Sequence, residues 1–290
     1  MGLGWYRFAD GCLGLATDDA EFAARFHAIY CECVTDEPRS GLVVRCGVTV
    51  TPGRVRVTFD PAPDAELIAR LLRTNDTPAA EGRWPAATVV PGGVDIDRAG
   101  AWQWLAGNLV VNVVLALQPE LMFFHAASAA IGDRGLLIMG ERGSGKTSLA
   151  LALGARGNAV LGDEIGALRL VTRELVPVRR SAQIRRNGAD ADRLTAPLGQ
   201  LCPLAAGRVA RLGAVVRLRR FAKATLLEPL PLTSGNLDGL TLMACSLASN
   251  GGSAGRIARL LAVLAPVPAY ALDAASPESA AELLERTLAR

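Results

Sequence analysis

Residues 135–153, GLLIMGERGSGKTSLALAL, constrain this chain more than any other stretch. An apolar run at 136–139 meets a glycine-rich turn, and the turn opens into a run of good helix formers. Gly140, Gly145, Lys146 and Thr147 satisfy the spacing G-x-x-x-x-G-K-[ST], with Gly143 as an extra glycine inside it. Glycines let backbone N–H groups turn inward around phosphate oxygens with no Cβ in the way. A helix starting near Lys146 points its dipole and its unpaired N–H groups at the same anion. Lys146 then reaches the β- and γ-phosphates, and the Thr147 hydroxyl ligates Mg²⁺. The candidate nucleotide-binding residues are therefore Gly140, Arg142, Gly143, Ser144, Gly145, Lys146, Thr147 and Ser148, with ATP and Mg²⁺ the expected ligands. A chance match in a glycine-rich chain is the competing explanation, and the strand-before, helix-after context opposes it. Lys146 and Lys223 are the only lysines in the chain. A compact ammonium in place of a planar fork suits a phosphate site.

The chain has 290 residues, long for one compact core, so one large domain with a smaller one is expected. A net charge of +3 gives no argument for a nucleic-acid or membrane partner. The cysteines at 12, 31, 33, 46, 202 and 245 form neither a disulfide framework nor a metal-ligand spacing. The only histidines are His27 and His125, which excludes a histidine-rich zinc site. Scattered thiols fit a reducing compartment. The first residues lack the charged and apolar regions of a signal peptide, and the apolar run at 105–117 is broken by Gly107, Asn108 and Asn112. These features lead to the expectation of a cytoplasmic protein. Self-association as a homo-oligomer is left open.

Along the chain, residues 19–33 read as an amphipathic helix presenting Phe22, Phe26, Ile29 and Tyr30. Alternation through Val44, Cys46, Val48 and Val50, a turn at 51–54, and alternation through Val55, Val57 and Phe59 predict a hairpin. A helix follows Asp64, and the Pro-, Gly- and Ala-rich stretch 74–93 marks a boundary. Residues 1–95 thus read as a small α+β domain and 96–290 as a domain built around the phosphate loop. The second part opens with a helix through Trp102, Leu105, Leu109, Val113 and Leu117. Residues 123–131 then read as one strand, turning at 132–135 into an antiparallel return that feeds the loop. Gly157 and Asn158 cap the loop helix, and a buried strand at 159–161 ends in Gly162, Asp163 and Glu164. A strand is expected at 165–171. Beyond Pro177 the spacing is hard to parse. Strands are expected near 215–218, 225–230 and 267–272, and helices near 238–247, 254–264 and 277–289.

These features resemble the HPr kinase/phosphorylase group and the smaller HPr-kinase-related proteins, whose fold is akin to phosphoenolpyruvate carboxykinase. The resemblance rests on His125 ending a strand, the antiparallel return into GERGSGKT, and the acidic pair Asp163 and Glu164 after the next strand. It covers residues 120–190 well and the C-terminal third by general pattern only. It implies an α/β fold, with a mixed-sheet P-loop kinase core preceded by the small α+β domain. It also implies a kinase acting on a hydroxyl, since some related proteins phosphorylate a serine of a precursor peptide. Asp163 would be the general base, with His125 beside it to tune its charge. Glu164 stands where HPr kinases usually carry a second Asp, and would help hold Mg²⁺ with Thr147. Arg185 is the candidate for phosphate or acceptor contact. The expected partners are a nucleotide and a peptide or small-protein acceptor.

Alternatives stay open. Asp163 as a metal ligand only would describe a P-loop hydrolase or switch in which water attacks. A third option is a binding module that holds a peptide and uses nucleotide only to set its shape. His125 as a packed histidine and Arg185 as a solvated arginine are the plain readings of those two residues. No stretch downstream of the acidic pair resembles the glycine-rich signature of true HPr kinases, and the N-terminal part does not resemble theirs. Both departures speak against HPr as substrate and against phosphorolysis.

Overall fold

The computed structural model describes residues 3–74, 85–141, 143–185, 193–202, 209–231 and 254–288. The chain divides into two compact units, Met1–Gln118 and Pro119–Arg290.

In the first unit, β1 (Gly4–Phe8), β2 (Gly11–Thr17), β3 (Leu42–Thr51), β4 (Arg54–Asp60), β5 (Ala87–Val90) and β6 (Gly93–Asp97) form a six-stranded sheet. Its order is β1-β2-β3-β4-β6-β5. β2 and β3 run parallel through the crossover helix α1 (Ala20–Tyr30), and the remaining neighbours are antiparallel. The expected hairpin is β3–β4. Val48 faces Val57 and Val50 faces Val55, while Arg54, Arg56 and Thr58 on the other face are exposed. Asp19 caps α1, its side chain accepting from the Phe22 N–H at 2.7 Å. The helix ends at Tyr30, and Cys31–Cys33 continue as a 3-10 turn, short of the expected limit at 33. Strands β1, β2, β5 and β6 were not anticipated.

Helix α3 (Trp102–Ala116) is buried on most sides because it lies across the first sheet and meets α2 (Ala65–Thr74). The division of the chain therefore falls after Gln118 and not near residue 95. Gln118 fastens the end of this helix region to the β1–β2 turn. Its Oε1 accepts the N–H groups of Asp10 at 2.9 Å and Gly11 at 3.1 Å, and its Nε2 donates to Val114 O at 3.0 Å.

The second unit contains β7 (Leu121–Phe124), β8 (Ala126–Ile131), β9 (Arg134–Gly140), α4 (Lys146–Ala155), β10 (Ala159–Gly162), β11 (Gly166–Arg169) and β12 (Glu174–Val176). They are followed by β13 (Ala182–Arg185), β14 (Arg193–Ala196), the single turn α5 (Leu198–Leu201), β15 (Ala210–Phe221) and β16 (Leu226–Pro229). The last elements are α6 (Ala254–Leu264), β17 (Ala269–Ala274) and α7 (Pro277–Leu288). One mixed sheet runs β10-β8-β9-β15-β12-β11-β7, with β17 parallel to β15 and β16 antiparallel to β17. β13 and β14 form a separate hairpin. The helix expected near 238–247 lies outside the described residues.

Both faces of the central strands are covered, which explains their unbroken apolar runs. Leu136 and Ile138 of β9 pack with Leu149 and Leu153 of α4 and Leu284 of α7. Leu137 and Met139 pack on the other side with Phe124, Leu161 and Leu260. The strand expected at 123–131 is in fact two. β7 pairs with β11, whereas β8 lies between β9 and β10, so the chain changes partners at His125. No described helix is long and apolar enough to cross a membrane.

All the tryptophans, at 5, 84, 102 and 104, belong to the first unit, so their fluorescence follows its unfolding alone. Gln118→Ala strips two backbone N–H groups of their acceptor. We expect a loss of about 2 kcal/mol in urea unfolding followed by tryptophan emission. An unchanged midpoint would show that the Gln118 contacts carry no weight.

Candidate functional site

The site forms where β9 and β10 end. The loop leaving β9 runs through residues 141–145 into α4, with Gly143 at φ 82° and Gly145, the N-cap, at φ 98°. Both lie in the left-handed region that glycine adopts without strain. At Gly140 a Cβ would lie 2.5 Å from Ser144 Oγ and 2.7 Å from Leu218 O, so the close turn excludes any larger residue. Lys146 is buried, and its Nζ donates to Gly140 O at 2.8 Å and Glu141 O at 3.0 Å. The ammonium is thus folded back over the loop from which it rises. Burial pushes its pKa down, against the opposing pull of Glu164 and Asp163.

Asp163 follows β10 directly and is 3% exposed. The Thr147 hydroxyl donates to both of its carboxylate oxygens, at 2.9 and 3.1 Å. This contact joins the first turn of α4 to the strand end. Burial raises the Asp163 pKa to about 6, reinforced by the neighbouring Glu164 charge. The Thr147 hydrogen bond, the charge of Arg180 and the Glu164 backbone N–H oppose that rise. Gly162 fits its neighbours tightly. A Cβ there would meet Val178 O at 2.6 Å and Ile165 O at 3.0 Å.

Glu164 takes a left-handed backbone, φ 69°, which is uncommon for a non-glycine residue. Its Oε1 lies 4.0 Å from His125 Nδ1 and its Oε2 lies 3.5 Å from Arg180 Nη1. His125 occupies the corner between β7 and β8, and its Nδ1 faces the Glu164 carboxylate, the residue next to Asp163. Of the two expected metal ligands, Thr147 is bonded to Asp163, while Glu164 is turned toward His125 and Arg180.

Gly140 ends β9, and Gly143, Ser144, Gly145, Lys146, Thr147 and Ser148 share the loop and the first turn of α4. Arg142 lies outside the described residues. Arg185 ends β13, and its side chain likewise lies outside them. Arg180 is the site residue that spacing missed. The sequence shows it only as one of several clustered arginines, and nothing local marks it as buried.

No family model and no curated protein matches the chain. Among solved structures, the chain is similar to the Hpr(Ser) kinase/phosphatase from Coxiella burnetii, at 19% identity over 58% of this chain and 88% of that chain, with a TM-score of 0.32. At that level the likeness says nothing of this chain's chemistry.

The residues fit a phosphate group. Ser144 Oγ is buried with no hydrogen-bond partner, inside a loop whose glycines leave no Cβ in the way. They also fit Mg²⁺ held largely by phosphate oxygens and water. The Thr147 hydroxyl lies against the Asp163 carboxylate, with Glu164 next in the chain, and no group of three or more His, Cys, Asp or Glu side chains placed to hold a metal occurs among the described residues.

A raised carboxyl pKa has a defined effect on stability. The folded value of about 6 lies above the ordinary 3.8, so the unfolded chain releases this proton first as pH rises. Stability is lost between about pH 4 and pH 6 and stays reduced above that window. Two pKa units correspond to roughly 3 kcal/mol. In metal-free protein, Asp163→Asn is expected to raise the melting temperature at pH 7.5 and to leave it unchanged near pH 3.5. Melts followed by circular dichroism at the two pH values check this.

Proposed function

We propose that this protein is an ATP-dependent kinase that transfers the γ-phosphoryl group to a hydroxyl, a serine of a peptide or small protein. The observation that supports the reading best is the Thr147–Asp163 contact, which sets a buried carboxylate against the phosphate loop. The loop N–H groups and Lys146 would hold the β- and γ-phosphates. Thr147 and Glu164 would hold Mg²⁺, which supplies neutralisation of phosphate charge. Asp163, with a pKa near 6, suits a base that works near neutral pH. The acceptor hydroxyl passes its proton to the Asp163 carboxylate while its oxygen bonds to the γ-phosphorus. The bond from that phosphorus to the bridging oxygen breaks, and ADP leaves. Phosphoryl transfer depends on positioning and electrostatics more than on covalent catalysis, so these parts suffice. A serine acceptor is what the resemblance to the HPr-kinase-related proteins implies.

A second reading has a specific observation behind it. The hydrogen bond from Thr147 also suits an Asp163 that serves only the metal site, with water as the attacking group. This describes a nucleotide hydrolase or switch.

Incubation with γ-labelled ATP and Mg²⁺, with and without peptides encoded beside the gene, separates the two readings. The kinase moves label onto a peptide serine. Asp163→Asn is expected to cut transfer by roughly 100-fold or more while ATP affinity changes little. Label appearing only as free phosphate, at one rate with or without peptide, would sink the kinase reading in favour of the hydrolase.

A further inference from the structure

Arg180 has so far entered only as a charge that opposes the rise in the Asp163 pKa, yet the fold brings it into the site against Glu164. Val178 forms a parallel bridge with Gly162, so the segment two residues further on runs beside Glu164. The Arg180 side chain is 10% exposed, and its Nη1 sits 3.5 Å from Glu164 Oε2. A buried guanidinium is costly unless it meets opposite charge. Its planar fork also restrains a carboxylate in a way that an ammonium does not. Glu164 needs such a restraint, because its backbone is left-handed and its side chain is 37% exposed. His125 Nδ1 stands 4.0 Å from the other carboxylate oxygen. The carboxylate is therefore bracketed, with one oxygen toward each neighbour.

We infer that Arg180 is a positioning residue, which fixes the Glu164 carboxylate beside Asp163 so that the metal–nucleotide complex meets a preset pair of acids. The inference rests on the nucleotide-and-Mg²⁺ part of the proposed function and is indifferent to the acceptor. Arg180 acts through Glu164, so the two residues behave as one unit when removed.

The test is a Mg²⁺ titration of binding to mant-ATP, a fluorescent ATP analogue. It compares wild type with R180M, R180K, E164Q and R180M/E164Q, each checked for folding by circular dichroism. R180M and E164Q are each expected to raise the Mg²⁺ needed for half-maximal binding about tenfold. The double variant shifts no further than either single one, and R180K recovers part of the loss. Additive shifts would mean that Arg180 acts independently of Glu164, on the nucleotide or on Asp163, and would overturn the inference. So would an R180M titration that matches wild type. If R180M does not fold, R180K carries the same comparison, with and without E164Q. Here a shift absent from the E164Q background supports coupling, and one that persists overturns it. A wild type that binds no mant-ATP at any Mg²⁺ concentration overturns the nucleotide reading and the inference together. Wild-type binding with an unaffected R180M overturns the inference alone.

Discussion

Two ionisable side chains that ordinarily stay in water, Lys146 and Asp163, are both buried at one end of the second sheet. Neither burial is tolerable without polar partners. Lys146 finds them in the carbonyls of Gly140 and Glu141, and Asp163 finds one in the Thr147 hydroxyl. These contacts dictate much of the local architecture. The loop must turn tightly enough to bring its carbonyls under the ammonium, which calls for glycine at 140, 143 and 145. The strand ending at Gly162 must lie within hydrogen-bond reach of the first turn of α4. The site is therefore a set of mutually dependent ends: two strand ends and one helix start, held by charges largely withdrawn from water.

Strain collects where these demands meet. Glu164 occupies a left-handed backbone immediately after a buried carboxylate, and its side chain is bracketed by His125 and Arg180. Such conformations cost on the order of 1–3 kcal/mol and persist where the surroundings over-determine them. The tight packing of Gly162 against Val178 O and Ile165 O supplies that constraint from below. His125 owes its place to the change of strand partners between β7 and β8, a topological event and not a local preference.

The parts of the fold that sequence disclosed are those whose residues carry the signal themselves. Valine alternation around the 51–54 turn gave the β3–β4 hairpin, and the glycines around Lys146 gave the loop and α4. β2, GCLGLAT, is buried along its first five residues without alternation and left no trace. The apolar spacing did not show the break at His125, because Phe124 and Ala126 are both buried and equally suited to a single strand. In the site, residue types and spacing disclosed Lys146, Thr147 and Asp163. That His125 faces the Glu164 carboxylate comes only from tertiary pairing, through the corner between β7 and β8. Arg180 reaches the site through one isolated bridge between Gly162 and Val178, a long-range pairing that no local spacing encodes.

The strand that feeds the glycine-rich loop, β9, has a parallel partner, β15, that arrives much later in the chain. Everything from α4 to α5 lies between them, and β15 in turn awaits β17 near the C-terminus. During synthesis on the ribosome, the loop and its helix therefore emerge well before the strands that lock them in place. β9 and β8 can close as a hairpin early, since the turn between them is short. The apolar face of β9 and the edge later taken by β15 stay uncovered until most of the chain has been made. A truncated chain ending before β15 would carry the complete glycine-rich motif on a sheet with an open edge, a form prone to pair with other chains before it can hold its site together.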